Sequence, residues 1–190
     1  MKITVTPAAI KDALIISHEV FEDTRGFLME VFRKDLFAQA GLPTEWVQIN
    51  HARSAKGVLR GLHFQWEPPM GKMMRVTQGT AFLAAVDIRK GSPTLGKWFG
   101  MELSENDKRQ IWAPAGFARG FCVLSDFAEI QYMCTGVYNP PCESAIRWDD
   151  GAIGIRWPIK EPRLSDRDAN AQTLAQWLAS ERSDCFKYGD

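Results

Sequence analysis

Residues 73–88, MMRVTQGTAFLAAVDI, show the pattern that decides the fold. Two short runs of β-branched and apolar residues, 73–78 and 81–88, are separated by Gly79. Many short strands punctuated by turns predict an all-β sandwich or barrel. Helices are predicted only at 34–40 and 170–180, so they decorate a β core. Further strand-like runs, bounded by Gly, Pro, Asn and Asp, occur at 14–16, 27–32, 46–50, 58–65, 98–103, 110–113, 117–124 and 129–135.

The length and charge of the chain limit the classes of protein to which it can belong. A chain of 190 residues is long enough for one sizeable core, so we predict one domain over residues 1–190. Lys plus Arg and Asp plus Glu are equal at 23 each, which disfavours nucleic acid as a partner. No segment approaches the roughly 18 apolar residues of a membrane span, and the first residues lack the apolar run of a signal peptide. We therefore expect a soluble, cytoplasmic protein with no membrane partner.

The cysteines and histidines do not form a metal-binding pattern. The spacings of Cys122, Cys134, Cys142 and Cys185 match neither paired zinc ligands nor a small disulfide scaffold. The three histidines do not cluster in the sequence either. We expect reduced, structural cysteines and no metal site.

A base and a cation lie close together in the sequence. The stretch 60–65, RGLHFQ, contains His63, and Lys72 follows nine residues later. Histidine can remove a proton near neutral pH, and a lysine ammonium can hold a developing oxyanion, so the pair suggests carbonyl chemistry. The residues alone also allow a surface or core histidine beside a solvated loop lysine.

Several further motifs, in order and at consistent spacing, resemble the dTDP-4-dehydrorhamnose 3,5-epimerase family over nearly the whole chain. The resemblance implies a cupin-type jelly roll, a double-stranded β-helix, which is usually dimeric and uses no metal or organic cofactor. It also implies a nucleotide-linked 4-keto-6-deoxyhexose as the substrate. The motifs lie at 23–27, Glu30, 48–50, 56–63, 87–98, 112–121, Tyr132, Tyr138 and 164–168.

The resemblance implies roles for four catalytic residues. His63 takes the proton from the carbon next to the ketone, and Asp168 steadies the imidazole. Lys72 faces the keto oxygen, and Tyr132 returns a proton from the opposite face, which inverts the centre. The residues alone leave two of these roles open, because Asp168 could cap the C-terminal helix and Tyr132 could be a half-buried strand aromatic.

The resemblance also implies which residues hold the nucleotide and the sugar. Arginines suit a diphosphate because the guanidinium is planar, always charged and able to bond two oxygens at once. In related dimers, Arg25 and Glu30 reach the site of the neighbouring subunit, so we expect a homodimer. The expected substrate-binding residues are Arg25, Glu30, Gln48, Asn50, Arg60, Arg119, Tyr138, Glu143 and Arg167.

Two positions depart from the family pattern in the expected sugar pocket. Arg119 replaces a histidine, and Leu83 replaces a common aspartate. We predict that enolate chemistry survives while the sugar or the number of inverted centres differs, with Leu83 facing a carbon that lacks a hydroxyl and Arg119 holding O4 or another substituent. The loop between His63 and Lys72 is also about one residue shorter than in many relatives, and small shifts of a catalytic group matter.

Three functions therefore follow from the sequence. The first is a cofactor-independent 3,5-epimerase or a single-position epimerase. The second is a 4-keto-sugar isomerase on the same scaffold. The third is a non-catalytic protein that binds sugar nucleotides, in which Arg119 and Leu83 have ended turnover.

Overall fold

The computed structural model describes residues 1–189, and most of its ordered elements are strands. Short helices α1, α2 and α3 span Lys34–Gln39, Asp166–Ala169 and Leu174–Ala179, with 3-10 turns at Pro140–Cys142 and Glu181–Cys185. None of the helices in residues 1–189 has the length and apolar character needed to cross a membrane. The strands are β1 Ile3–Pro7, β2 Leu14–His18, β3 Val20–Asp23, β4 Gly26–Met29, β5 Gln48–Ala55, β6 Leu59–Gln65, β7 Lys72–Asp87, β8 Trp98–Ser104, β9 Gln110–Ala113, β10 Phe117–Cys134 and β11 Glu143–Ala145.

Two long strands, β7 and β10, organise the molecule. They pair antiparallel from Lys72 with Cys134 at one end to Asp87 with Phe117 at the other, with bulges near the middle. The sequence predicted a break in each strand, at 79–80 and at 125–128. Each pair of predicted strands is instead one bent strand. Bends and bulges of this kind let a strand pass from one layer of a β structure to the next.

Gly79 makes the bend in β7 possible. Its φ is +73°, in the left-handed region, and a Cβ there would lie 2.2 Å from the backbone oxygen of Phe127. Only glycine combines that backbone conformation with such a close approach to the neighbouring strand. Gly79 therefore does mark a change of direction in the chain, as the sequence predicts, but the change is a bend within one strand and not a strand end.

The halves of β7 and β10 belong to two antiparallel layers. The first layer contains β1, β2, β9, the first half of β7, the second half of β10 and β5. The second layer contains β8, the second half of β7, the first half of β10, β6 and β11. This arrangement is a cupin-type jelly roll and confirms the predicted fold class.

Apolar side chains from both layers meet in the interior. Met74, Ile111 and Ile130 from the first layer pack against Leu83 and Phe121 from the second. Burying each such side chain contributes about 1.5–3 kcal/mol. The interior is therefore a packed core over much of its length, and polar side chains enter it only toward one end.

The hairpin formed by β3 and β4 lies outside both layers. It is a separate two-stranded sheet, and its side chains Phe21, Phe27 and Leu28 are 51%, 58% and 65% exposed. Large apolar side chains grouped on one exposed hairpin are typical of an interaction surface.

Candidate active site

His63 and Asp168 form a hydrogen-bonded pair at the polar end of the interior. His63 Nε2 lies 2.5 Å from Asp168 Oδ1, and the two side chains are 25% and 4% exposed. The capping question left open by the sequence is resolved, because Ser165 caps α2 and Thr173 caps α3. Asp168 lies inside α2, and its carboxylate accepts from the imidazole.

Local backbone contacts bring Asp168 to His63. The segment before α2 is tied to the start of β6, since Leu59 N donates to Arg163 O and Arg163 N donates to Gly57 O. Gly61 lies two residues before His63 and has a φ of +134°, and a Cβ on it would lie 2.5 Å from the Cα of Gly120 on β10. The close approach of these two backbones sets the position of β6 against β10.

The charge on Asp168 fixes the tautomer of His63. Burial opposes ionisation of the carboxyl, but the hydrogen bonds from His63, Ser165 and the backbone of Gly61 together lower the pKa of Asp168 below its usual value. An ionised carboxylate accepts the Nε2 proton, so neutral His63 presents Nδ1 with a free lone pair. A histidine held in this way is suited to remove a proton.

Lys72 and Tyr132 face His63 from the other layer. Both side chains line the same inner cavity as His63, and Lys72 Nζ lies 5.3 Å from the centre of the Tyr132 ring. Burial raises the pKa of Tyr132, so the phenol keeps its proton at neutral pH. Burial, followed by the nearby charge of Arg119, lowers the pKa of Lys72 to about 8. The cavity thus has a base on one wall and an acid and a cation on the opposite wall.

The lowered pKa of Lys72 predicts an alkaline limit to activity. If the ammonium is required, kcat/KM should fall above about pH 8, by about tenfold for each further pH unit, since this ratio reports groups of the free enzyme. Lys72→Arg should remove this limit because a guanidinium stays charged. A wild-type profile that is level from about pH 7 to 9.5 would contradict a role for the ammonium.

A larger outer cavity opens from the inner one. The inner cavity has a volume of about 150 Å³ and the outer cavity about 540 Å³, and they share His63, Lys72 and Tyr132. Arg60 lines the inner cavity, and its Nε donates to Ser54 Oγ at 3.0 Å. The expected substrate-binding residues on the outer cavity are Gln48, Asn50, Tyr138, Glu143 and Arg167.

Polar contacts hold the outer residues in place. Gln48 Nε2 donates to Asn50 Oδ1 at 3.0 Å, while Gln48 Oε1 accepts from the backbone N–H of Tyr138 at 2.8 Å. Arg167 forms an ion pair with Glu143 at 2.7 Å. The residues of this wall come from β5, β11, α2 and the loop after β10, so the structure brings together positions far apart in the sequence.

Two of the expected substrate-binding residues, Arg25 and Glu30, line neither cavity. Arg25 is on the exposed hairpin, where its guanidinium pairs with Asp23, and Glu30 pairs with Arg33 at 3.2 Å. If Arg25 and Glu30 extend across a dimer interface, as the resemblance implies, they lie in the site of the neighbouring subunit.

Comparison with known proteins decides the family. A family model described as dTDP-4-dehydrorhamnose 3,5-epimerase matches residues 7–176. The chain belongs to the dTDP-4-dehydrorhamnose 3,5-epimerase family. It is 52% identical over 170 residues to a dTDP-4-dehydrorhamnose 3,5-epimerase of Shigella flexneri, with 88% of this chain and 94% of the relative covered.

Two solved structures are similar to nearly the whole chain. The Legionella pneumophila dTDP-6-deoxy-D-glucose-3,5-epimerase RmlC, in complex with dTDP-4-keto-L-rhamnose, is 41% identical with a TM-score of 0.91 and 97% of each chain covered. ChmJ, a 3'-monoepimerase from Streptomyces bikiniensis in complex with dTDP-quinovose, is 36% identical with a TM-score of 0.86, covering 90% of this chain and 88% of its own. A protein similar to this chain over most of its length thus acts on one position.

The two departures from the family pattern have different surroundings. Arg119 lines the inner cavity beside His63, its partner in the strand register. Leu83 is fully buried in the apolar core against Phe121 and Leu103, and it does not line the cavity. Leu83 therefore lies behind the cavity wall, because its strand partner Phe121 lines the inner cavity and the two belong to one apolar cluster.

Some residues of the cavity wall were not predicted from the sequence. They share a strand face with residues that were predicted, two positions away along the chain, where the strand repeat places side chains on one side. That alternation was the signal that could have identified them. The pairs are Met74 with Lys72, Ala52 with Asn50, and Phe121 with Arg119.

Proposed function

We propose that the protein is an epimerase of a dTDP-linked 4-keto-6-deoxyhexose that inverts C3, C5 or both. The observation that carries this proposal is the arrangement of the inner cavity, with the His63–Asp168 pair on one layer and Tyr132 with Lys72 on the other. The names of the relatives support the substrate class. The reaction needs a base, an acid and a cation, which the side chains supply without a cofactor.

His63 removes the proton in this proposal. A C–H bond next to a ketone becomes acidic when the resulting enolate is stabilised, and Nδ1 of His63 is the free basic atom at the cavity wall. Asp168 stabilises the imidazolium that forms when Nδ1 takes the proton, as the aspartate of a catalytic triad does. A positioned base of this kind contributes about 10²–10⁴-fold to rate.

Lys72 stabilises the charge that forms on the ketone oxygen. As the C–H bond breaks, its electron pair forms a C=C bond to the ketone carbon, and the C=O π pair moves to the oxygen, which carries the negative charge of the enolate. An ammonium fixed in a water-poor cavity interacts with this charge more strongly than water would. The buried position of Lys72 suits this role, because its pKa of about 8 keeps it mainly charged at neutral pH.

Tyr132 completes the inversion. Its phenol is protonated at neutral pH and faces the cavity from the layer opposite His63. A proton delivered to the enolate carbon from that wall gives the inverted centre. The outer cavity, with Arg167, Gln48 and Asn50, then holds the dTDP group while the sugar occupies the inner one.

A proton NMR experiment in heavy water tests the proposed function. The protein is incubated with dTDP-4-keto-6-deoxyglucose, and the C3 and C5 signals are followed. Loss of both signals indicates the 3,5-epimerase, and loss of one indicates a single-position enzyme, as the similarity to ChmJ allows. A new ketone at another carbon would indicate an isomerase. Binding of dTDP without exchange would leave only the non-catalytic binding protein.

We propose in addition that the protein is a homodimer that shares residues between its sites. The exposed hairpin carries three large apolar side chains and also Arg25, which lies outside both cavities of its own subunit. Docking this hairpin on a second copy would bury Phe21, Phe27 and Leu28 and bring Arg25 to the partner's outer cavity. Glu30 follows directly after β4 and would move with it.

Mixed dimers test whether Arg25 is shared between the two subunits' sites. Arg25→Ala and His63→Asn subunits should each be weakly active alone, and mixing them should restore activity to about a quarter of the wild type. The reason is that a mixed dimer has one site carrying both changes and one carrying neither, and random exchange makes half of the dimers mixed. The exchange of subunits between the two variants can be followed through a tag on one of them. No gain on mixing would contradict a shared site.

A further inference from the structure

Arg119 has hydrogen-bond donors that no protein group satisfies. The residue is 3% exposed, and its Nη2 donates to the carbonyl oxygens of Met70 and Pro114. Its Nε and Nη1 are buried at the cavity and have no partner among the described residues. A guanidinium anchored through one nitrogen thus presents the remaining N–H groups to whatever occupies the cavity.

The charges around Arg119 do not balance within the protein. The carboxylate of Asp168 is paired with the imidazole of His63, and the carboxylate of Glu143 is paired with the guanidinium of Arg167. The described residues that line the inner cavity include no carboxylate. Arg119, Lys72 and Arg60 are therefore three cations on one small cavity, and Arg119 is the one with unpaired buried donors; a buried cation without a partner is costly unless a ligand supplies the charge.

We propose that Arg119 is a second oxyanion-binding residue, which shares the ketone oxygen with Lys72 as the enolate forms. This inference rests on the proposed epimerase function. The sugar ring is neutral in the ground state, so the negative charge that matches these cations appears only when the C–H bond breaks. Interactions made chiefly in the transition state raise kcat more than they lower KM.

The position of Arg119 favours the ketone oxygen as its partner. Arg119 lies directly opposite His63 in the register of β10 and β6, so the guanidinium and the base are on one wall. Lys72 is on the other wall and is close enough for the Arg119 charge to lower its pKa. The groups that also act on Lys72 are Cys134 from β10, Glu143 from β11 and Arg167 from α2.

Arg119→Gln and Arg119→Lys test the proposal through the exchange rate. For Arg119→Gln we expect kcat to fall about 10- to 100-fold with KM changed by less than about threefold, since one oxyanion donor is lost. Arg119→Lys should recover part of the rate. The matched control is Arg109→Gln, because Arg109 pairs with Asp107 on a surface loop away from the cavities and should leave the rate unchanged.

The pH profile tests whether the charge of Arg119 reaches Lys72 across the cavity. Removing the Arg119 charge should move the alkaline limit set by Lys72 from about pH 8 to a higher value. Arg119→Lys should leave the limit near its wild-type position while the new ammonium is charged. A limit that stayed at its wild-type position in Arg119→Gln would contradict the closeness of the two charges that the proposal requires.

A measurement on the wild type covers the case in which the variants do not fold. In protein labelled with ¹⁵N-arginine, the Nε–H signal of Arg119 should shift on adding the keto sugar nucleotide but not on adding dTDP. Three results would each overturn the inference. Arg119→Gln could exchange the proton at nearly the wild-type rate, it could change KM alone, or the Nε–H signal could stay unshifted. Absence of exchange in the wild type would instead remove the proposed function, and this inference with it.

Discussion

Replacing His63 with asparagine should lower kcat for exchange at the carbon next to the ketone about a thousandfold or more, near the upper end of what a general base contributes. The expected reason is that, in the described part of the chain, the other ionisable side chains on that wall are Arg119 and Arg60, and a guanidinium is a poor base near neutral pH. Affinity for dTDP should change little, since the outer cavity keeps its contacts. The measurement is the NMR exchange rate together with calorimetric binding of dTDP.

The control for this variant is the same change at another histidine. His18 is on β2, outside both cavities, so His18→Asn should exchange at the wild-type rate. If His63→Asn kept dTDP affinity and exchanged within about threefold of the wild type, the base would have to be another group, because a positioned base contributes far more than that.

Replacing Tyr132 with phenylalanine should separate exchange from inversion. His63 and Lys72 remain, so the enolate still forms and the substrate should gain solvent deuterium at that carbon. Inversion should slow about 10²–10⁴-fold, because the phenol that returns a proton from the opposite wall is gone. The ratio of the exchange rate to the inversion rate, measured by NMR on one sample, is the quantity to compare.

A second tyrosine provides the control for this variant. Tyr188 lies near the C-terminus beside Arg89, and neither cavity includes it. Tyr188→Phe should leave both rates unchanged. If Tyr132→Phe inverted the sugar as fast as it exchanged the proton, then the acid would be elsewhere.

The sequence predicted most of the fold because the signals for its strands are local. Most of the expected runs coincide closely with one strand, or with one half of the bent strands β7 and β10. The run 110–113, for example, is the same as β9. The continuity of β7 and β10 was missed, since a glycine at a turn and a glycine at a bend look alike in one sequence. The short strands β1, β3 and β11 carry too few residues to show a clear alternation.

The site was predictable to the extent that motifs carry it. The family motifs identified His63, Lys72, Tyr132 and Asp168, and the fold brings all four to one place. The surroundings of Leu83 were not predictable, because the direction of a side chain depends on which face of β7 meets the core. The free donors of Arg119 were equally hidden, since they depend on contacts with Pro114 in the preceding turn and with Met70 on a distant loop.

Early deuterium incorporation tests most directly whether the base and the acid lie on opposite walls. The wild-type reaction is started in heavy water and stopped at low conversion, and deuterium is measured in the remaining substrate and in the product. With His63 removing and Tyr132 returning protons, the product should carry solvent deuterium at each inverted centre while the remaining substrate stays almost unlabelled. Equal labelling of both pools would indicate that the enolate takes solvent protons from both faces alike, so that no acid is specific to the wall opposite His63, which would contradict the account.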